Sequence, residues 1–293
     1  MAIDLRDRAR LDEELSGLDS LELAIPPRPS RLARVWSALW PKLAAVGIAL
    51  CAWQLIVWSG WKPEFVLPGP RAVFGRLWEK LADGSLPEAI GTTMWRAAQG
   101  FGLAIVIGTA IGIAVSQSRI LRAAFGSLIT GLMTMPSIAW FPLAIILFKL
   151  TNEAILFVVV LGAAPSIANG LIHGIDHIPP TLLRVGRVLG ARGFNRFWHV
   201  VLPAALPNFV SGLKQGWAFA WRSLMAGELL VIIANQTSLG QQLGFARQFN
   251  DSESLIAVMI VILVIGIVID ALFFATVEKA IRRRYGLIDE ATE

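Results

Sequence analysis

Three ionisable residues, Lys214, Arg222 and Glu228, interrupt an otherwise apolar stretch between residues 206 and 233. If that stretch crosses a bilayer as a helix, each charge costs about 2.5–3.5 kcal/mol near the centre, so each needs a partner, a wet cavity or a route to the interface. At roughly 100° per residue, Lys214 and Glu228 project about 40° apart and Arg222 about 80° from Lys214, so the three share one broad face. Two arrangements satisfy them. In one, Arg222 and Glu228 tether each other while Lys214 snorkels to an interface. In the other, Arg222 lines an open path, where its planar donors suit the oxygens of an anion and Glu228 holds the guanidinium in place.

Just before this stretch, residues 181–203 (TLLRVGRVLGARGFNRFWHVVLP) carry Arg184, Arg187, Arg192 and Arg196 and no acid. The apolar residues fall into two helical sets, Leu182/Leu183/Val185/Val188/Leu189 and Phe194/Phe197/Trp198/Val201, broken at Gly190 and Gly193. So basic a segment does not cross a bilayer and is expected on the cytoplasmic side. Two short helices with a turn between them suit docking into a partner's groove better than they suit chemistry.

The elements that must hold these residues are apolar and long. Hydrophobic residues make up 55% of the 293 and charged ones only 16%, which outweighs the one or two soluble domains that length alone allows. A helix needs about 20 apolar residues to cross the hydrocarbon core. Six stretches qualify: residues 43–59, 94–115, 120–148, 155–175, 206–233 and 254–277. The third is overlong and holds Pro136 and Pro142, so it is expected as one kinked helix. With the N-terminus inside, 17 Lys and Arg residues fall on the cytoplasmic side and six on the other, so both termini are expected in the cytoplasm. The net charge of +5 is then a topology signal, and nucleic-acid binding is not needed to explain it.

Other features are local. Residues 1–35 mix charge and proline and are expected to be disordered or loosely helical, with residues 6–15 a candidate for a short surface helix. The first span starts too late, and is too long, for a cleaved signal peptide. The lone Cys51 excludes an intrachain disulfide and reads as packing. Trp36, Trp40, Trp58 and Trp61 bracket the first span as interface anchors, and residues 70–81 read as an amphipathic surface helix. Gly108/Gly112 and Gly212/Gly216 permit close helix contact, expected within the subunit. Trp140, Trp217 and Trp221 are candidates for gating or for aromatic packing.

Missing motifs narrow the function. No G-x-x-x-x-G-K-[ST] phosphate loop is present, so ATP hydrolysis by that route is excluded. His173, His177 and His199 form no H-E-x-x-H, and no serine has a G-x-S-x-G setting. His173 and His177 share a helix face, as a metal pair would, although a solvated helix end is the simpler reading.

Gly190-Ala191, Phe197, Val200 and Leu202-Pro203 resemble the G-A-x5-F-x2-I-x-L-P half of the EAA loop of permease subunits in bacterial ATP-binding-cassette importers. Pro68-Gly69-Pro70, the run from Met135 to Pro142 and the LPAALP continuation are similar to the nitrate/sulfonate/taurine branch. The resemblance spans roughly residues 63 to 287. One departure stands out: Arg184 occupies the position of the loop's glutamate, with Val185 and Gly186 at its alanines.

The resemblance implies an all-α integral membrane protein of six transmembrane helices, with the type I importer permease fold and cytoplasmic coupling helices. Residues 36–62 would add a first helix to a five-helix core at 63–287, followed by a cytoplasmic tail at 288–293. It further implies a pair of permeases, two ATPase subunits and an extracytoplasmic binding protein. The chain itself would hold no cofactor, ATP being bound by the partner. Arg184, Gly190, Ala191, Phe197, Val200, Leu202 and Pro203 would couple to the ATPase, and Lys214, Arg222 and Glu228 would line the path. Sulfonate, taurine or nitrate is the implied cargo, with neutral heterocycles carried by related members. An ion-coupled carrier would show repeated halves or a carboxylate-rich core, and a membrane enzyme a catalytic cluster. Neither pattern is visible.

Overall fold

The structure, a computed structural model, describes residues 31–284. The expected surface helix at 6–15 and the tail at 288–293 lie outside the described residues, as does most of the expected N-terminal tail. All elements described are helical. Helix α1, Arg31–Trp58, starts a few residues before the boundary expected at 36 and belongs to a unit separate from residues 60–293. No residue of its apolar window is buried, and Cys51 is exposed.

The second unit opens with α2 (Pro70–Ala82), whose first residue is proline, a position where a missing N–H costs nothing. Val73 is its buried anchor. Then come α3 (Ser85–Gln117), α4 (Arg119–Thr134), α5 (Phe141–Phe148) and α6 (Asn152–Asp176). The basic segment forms α7 (Pro180–Val188), the single turn α8 (Gly193–Arg196) and a π turn at Phe197–Val201. It leads without a break into α9 (Leu202–Leu230). The described residues end with α10 (Leu239–Gln248), α11 (Ser252–Ile269), a second π turn at Asp270–Phe274 and α12 (Ala275–Arg284).

The core lies around α6, which packs chiefly against α3 and α9. Small residues make this possible. A Cβ added to Gly108 would meet the Ala164 carbonyl and Ile167, and one on Gly112 would meet Ala168 and Leu171. Gly212 and Gly170 approach each other backbone to backbone across α9 and α6. The G-x-x-x-G pairs thus serve helix packing inside the subunit, where van der Waals fit replaces the hydrophobic drive that lipid removes. Ile155, Val158, Val159 and Ile167 of α6 fill the space between, with Leu224 of α9 and Phe141 of α5.

Residues 120–148 depart from the expected kinked helix. A bend of 102° separates α4 from α5, making two helical arms around a short 3₁₀ turn at Ser137–Trp140. Met135 and Pro136 are both extended, at ψ 128° and 125°. Proline forces its predecessor out of the helical region and removes an N–H, and the chain here breaks rather than flexes. Four described helices are long and apolar enough to cross a membrane, and the bent pair adds a fifth only as a broken span. A count of six requires α9 to cross despite its three charges.

Candidate functional site

The loop at 181–203 is built by its glycines. Helix α7 ends in a Schellman motif: the Gly190 N–H donates to the Arg187 carbonyl at 3.1 Å and the Ala191 N–H to the Gly186 carbonyl at 2.9 Å. This closure places Gly190 at φ +81°, a conformation that side chains disfavour. Gly186 is buried, and a Cβ on it would lie 3.0 Å from Val200 Cγ2, so α7 folds tightly back on the π turn. Of the expected coupling residues, Arg184 and Gly190 are exposed, whereas Phe197, Val200, Leu202 and Pro203 are half-buried and hold the loop together. Ala191 is half-buried too. The surface offered outward is a different set: Val188, Leu189 and Phe194 are 87%, 80% and 79% exposed. Trp198 stacks on Phe194 at 6.1 Å. Their apolar character was legible in the sequence, but which of them point outward depends on the turn.

On α9 the three charges have three different settings. Lys214 Nζ lies 3.2 Å from Asp270 Oδ1, and both side chains are partly exposed. Glu228 is fully buried, and its partner is Arg96, at 3.0 Å. The expected Arg222–Glu228 tether is therefore corrected: Glu228 lies six residues beyond Arg222 on the helix and is saturated by groups from α3 and α10. Arg222 is exposed, and among the described residues it has no ion pair or hydrogen bond. It stands on the walls of two clefts. One, of about 490 Å³, also holds Lys214, Gln215, Trp217, Trp221 and Asp270. The other, of about 340 Å³, is lined by the broken α4–α5 connection from Leu132 to Ile138 together with Phe219.

Trp217 and Trp221 stack at 5.9 Å, and Trp217 meets Phe101 edge-on at 5.3 Å. Trp217 thus packs into the core, while Trp221 lines the larger cleft and packs near Gly266 of α11. Trp140 packs against the same core.

Arg96 was missed by sequence reasoning. Its Nη1 donates to Glu228, its Nε to Asn152 Oδ1 at 2.8 Å and its Nη2 to Gln236 Oε1 at 2.5 Å. Glu228 Oε2 accepts from Thr93 at 2.9 Å and from the Gly240 N–H at 3.1 Å, and Thr93 accepts in turn from the Leu239 N–H. The signal was present: Arg96 is the only ionisable residue in its apolar span, just as Glu228 lies at the end of another. Antiparallel helices bring those two ends to one level.

His177 Nδ1 lies 2.8 Å from the His173 carbonyl, and no group of three potential metal ligands occurs among the described residues.

Comparison with known proteins follows this geometry. Residues 86–283 match the family described as "Binding-protein-dependent transport system inner membrane component". A putative ABC transporter permease of Methanocaldococcus jannaschii is 30% identical over 78% of this chain and 86% of its own length. The putative aliphatic sulfonates transport permease of Escherichia coli is 30% identical over 77% of this chain and 84% of its own. The bicarbonate transport system permease of Synechococcus elongatus is 30% identical over 87% and 95%. Among solved structures, an inward-facing form of the MetNI methionine ABC transporter matches with a TM-score of 0.58 at 18% identity, covering 67% of this chain and 96% of that one. An amino acid ABC transporter matches at 0.53 and 17%, covering 71% and 96%. The helical bundle is thus the ABC importer permease fold, and the chain belongs to the family of binding-protein-dependent transport system inner membrane components.

Proposed function

We propose that this permease carries a small anion into the cytoplasm along a path that includes Lys214 and Arg222. The observation that carries the reading is Arg222 itself. It is an arginine within a helix of the bundle, facing two clefts, without a counter-ion among the described residues. A guanidinium left unpaired at such a depth is costly, and an anionic ligand with planar or tetrahedral oxygens would offset that cost. The relatives named for aliphatic sulfonates and for bicarbonate support an anion, since both cargoes are oxyanions. Glu228 drops out of the path in this reading and holds the bundle instead.

Two such permeases, identical in this reading, would enclose the path, with two ATPase subunits beneath and an extracytoplasmic binding protein above. Both termini face the cytoplasm. Closure of the ATPase dimer pushes on residues 181–203, and the π turn passes that movement into α9 because no loop separates them. Arg184, where the family motif has glutamate, faces the ATPase.

The test is uptake by the assembled importer in proteoliposomes. Radiolabelled ethanesulfonate, nitrate, bicarbonate and a neutral heterocycle are offered with the cognate binding protein. Arg222→Ala should lower uptake at least tenfold with assembly intact, and Arg222→Lys should recover part of it. Full activity in Arg222→Ala would refute the path role, and transport of only neutral compounds would refute the anion.

A further inference from the structure

We propose that Asp270 restricts this path to singly charged anions by neutralising Lys214, an inference that rests on reading Lys214 and Arg222 as path residues. Asp270 lies in one of the most apolar stretches of the chain, where an acid needs a reason to persist. It opens a π turn, a backbone widening that recurs at functional sites.

The ion pair it makes with Lys214 is unlike the other pair on α9. Arg96 and Glu228 are 5% and 0% exposed and ringed by hydrogen bonds, as a structural tether requires. Lys214 and Asp270 are 40% and 51% exposed and line the cleft of about 490 Å³ beside Arg222. A pair so open contributes little to stability. Its consequence is local charge.

The cleft holds two cations, Lys214 and Arg222, and one anion, Asp270, hence one net positive charge. The remaining wall is largely apolar, with Trp217, Trp221, Ala218 and Gly266. A monoanion is balanced there. A dianion brings a second charge that has no partner and lies near the Asp270 carboxylate, where few polar groups screen it.

Methanesulfonate and sulfate separate charge from size, because they share a tetrahedral shape and differ by one methyl in place of one charged oxygen. The experiment measures equilibrium binding of each radiolabelled anion to the full chain in nanodiscs, assembled with its ATPase and without binding protein. Wild type should prefer methanesulfonate. Asp270→Asn should raise the sulfate-to-methanesulfonate affinity ratio about tenfold or more, and Lys214→Gln should move the same ratio the other way. If Asp270→Asn is not recovered folded, Lys214→Gln decides alone.

An unchanged ratio in the variants overturns the proposal. The path reading survives that result if Arg222→Ala still loses methanesulfonate, and falls with it if Arg222→Ala binds like wild type. Absence of saturable binding of either anion to wild type overturns both.

Discussion

Arg96 and Glu228 are 132 residues apart in sequence and meet at 3.0 Å in the interior of the bundle. Around them gather Thr93 of α3, Asn152 at the start of α6, Gln236 of the α9–α10 connection and the first turn of α10. A single buried pair thus ties five segments together, α9 included. The other pairs among the described residues, Arg76–Glu79, Arg76–Glu253, Arg122–Asp176 and Lys214–Asp270, are exposed by more than a third.

Breaking that pair on one side should be severe. Glu228→Gln or Arg96→Gln leaves the buried polar network short of a partner and the remaining charge uncompensated, at a cost of about 3–5 kcal/mol. The Arg96→Gln/Glu228→Gln double variant removes both charges and should recover most of the loss. Thermal unfolding and the yield of monodisperse protein in detergent measure this. Single variants as stable as wild type would show that the pair is not a tether.

Much of this was legible in sequence because the bilayer imposes strict rules on it. Apolar length marked the helices, glycine spacing marked the faces of α3 and α9 that permit close contact, and Gly190 marked the end of α7. Partners across long sequence separations were not legible. Helical period put Arg222 and Glu228 on one broad face of α9, but it carries no information about α3, from which the true partner of Glu228 comes. The bend at Met135–Pro136 was underestimated for a related reason. Proline states that a helix is interrupted, while the angle is set by what the segment packs against, here α6 under both arms and α9 against the turn between them.

Gly190 should tolerate only residues that accept its left-handed backbone. No atom lies within 4 Å of a Cβ placed there, so conformation and not space is the constraint. Gly190→Asn should keep the turn, since asparagine visits this region, whereas Gly190→Leu should cost about 1–2 kcal/mol locally and unravel the Schellman closure. Co-purification with the ATPase subunit is the readout. Gly190→Leu should insert in the membrane and lose its partner, and equal recovery of the ATPase by both variants would contradict the turn's role.

Two glycine-to-alanine changes should have opposite signs. A Cβ on Gly212 would lie 2.7 Å from Gly170 Cα, and backbone cannot move aside cheaply. Gly212→Ala should therefore destabilise by about 1–3 kcal/mol through overpacking. Gly126, on α4, has nothing within 4 Å of the same position, and alanine there should be neutral or stabilising by up to about 1 kcal/mol. Unfolding temperatures of the two variants, measured side by side, would refute the close-packing account if they shifted together.

Asp251 gives the fold a defined response to acid. It caps α11, its Oδ1 accepting from the Ser254 N–H at 3.0 Å. Partial burial pushes its carboxyl upward, but the hydrogen bonds from Ser254 and the nearby charges of Arg76 and Lys80 outweigh this, leaving its pKa below the usual 3.8. A carboxylate depressed in the folded state contributes stability that is fully present above its unfolded pKa and lost as pH falls through the folded one. The cap should therefore hold throughout the neutral range and weaken only below about pH 4. Asp251→Ala should cost about 1 kcal/mol at neutral pH. Asp251→Asn should retain most of the cap, since asparagine also accepts from the N–H, while removing this residue's share of the acid sensitivity. Thermal unfolding followed from pH 7 down to pH 3 separates the variants. If Asp251→Asn and wild type lose stability along the same curve, the carboxylate has no part in the acid response.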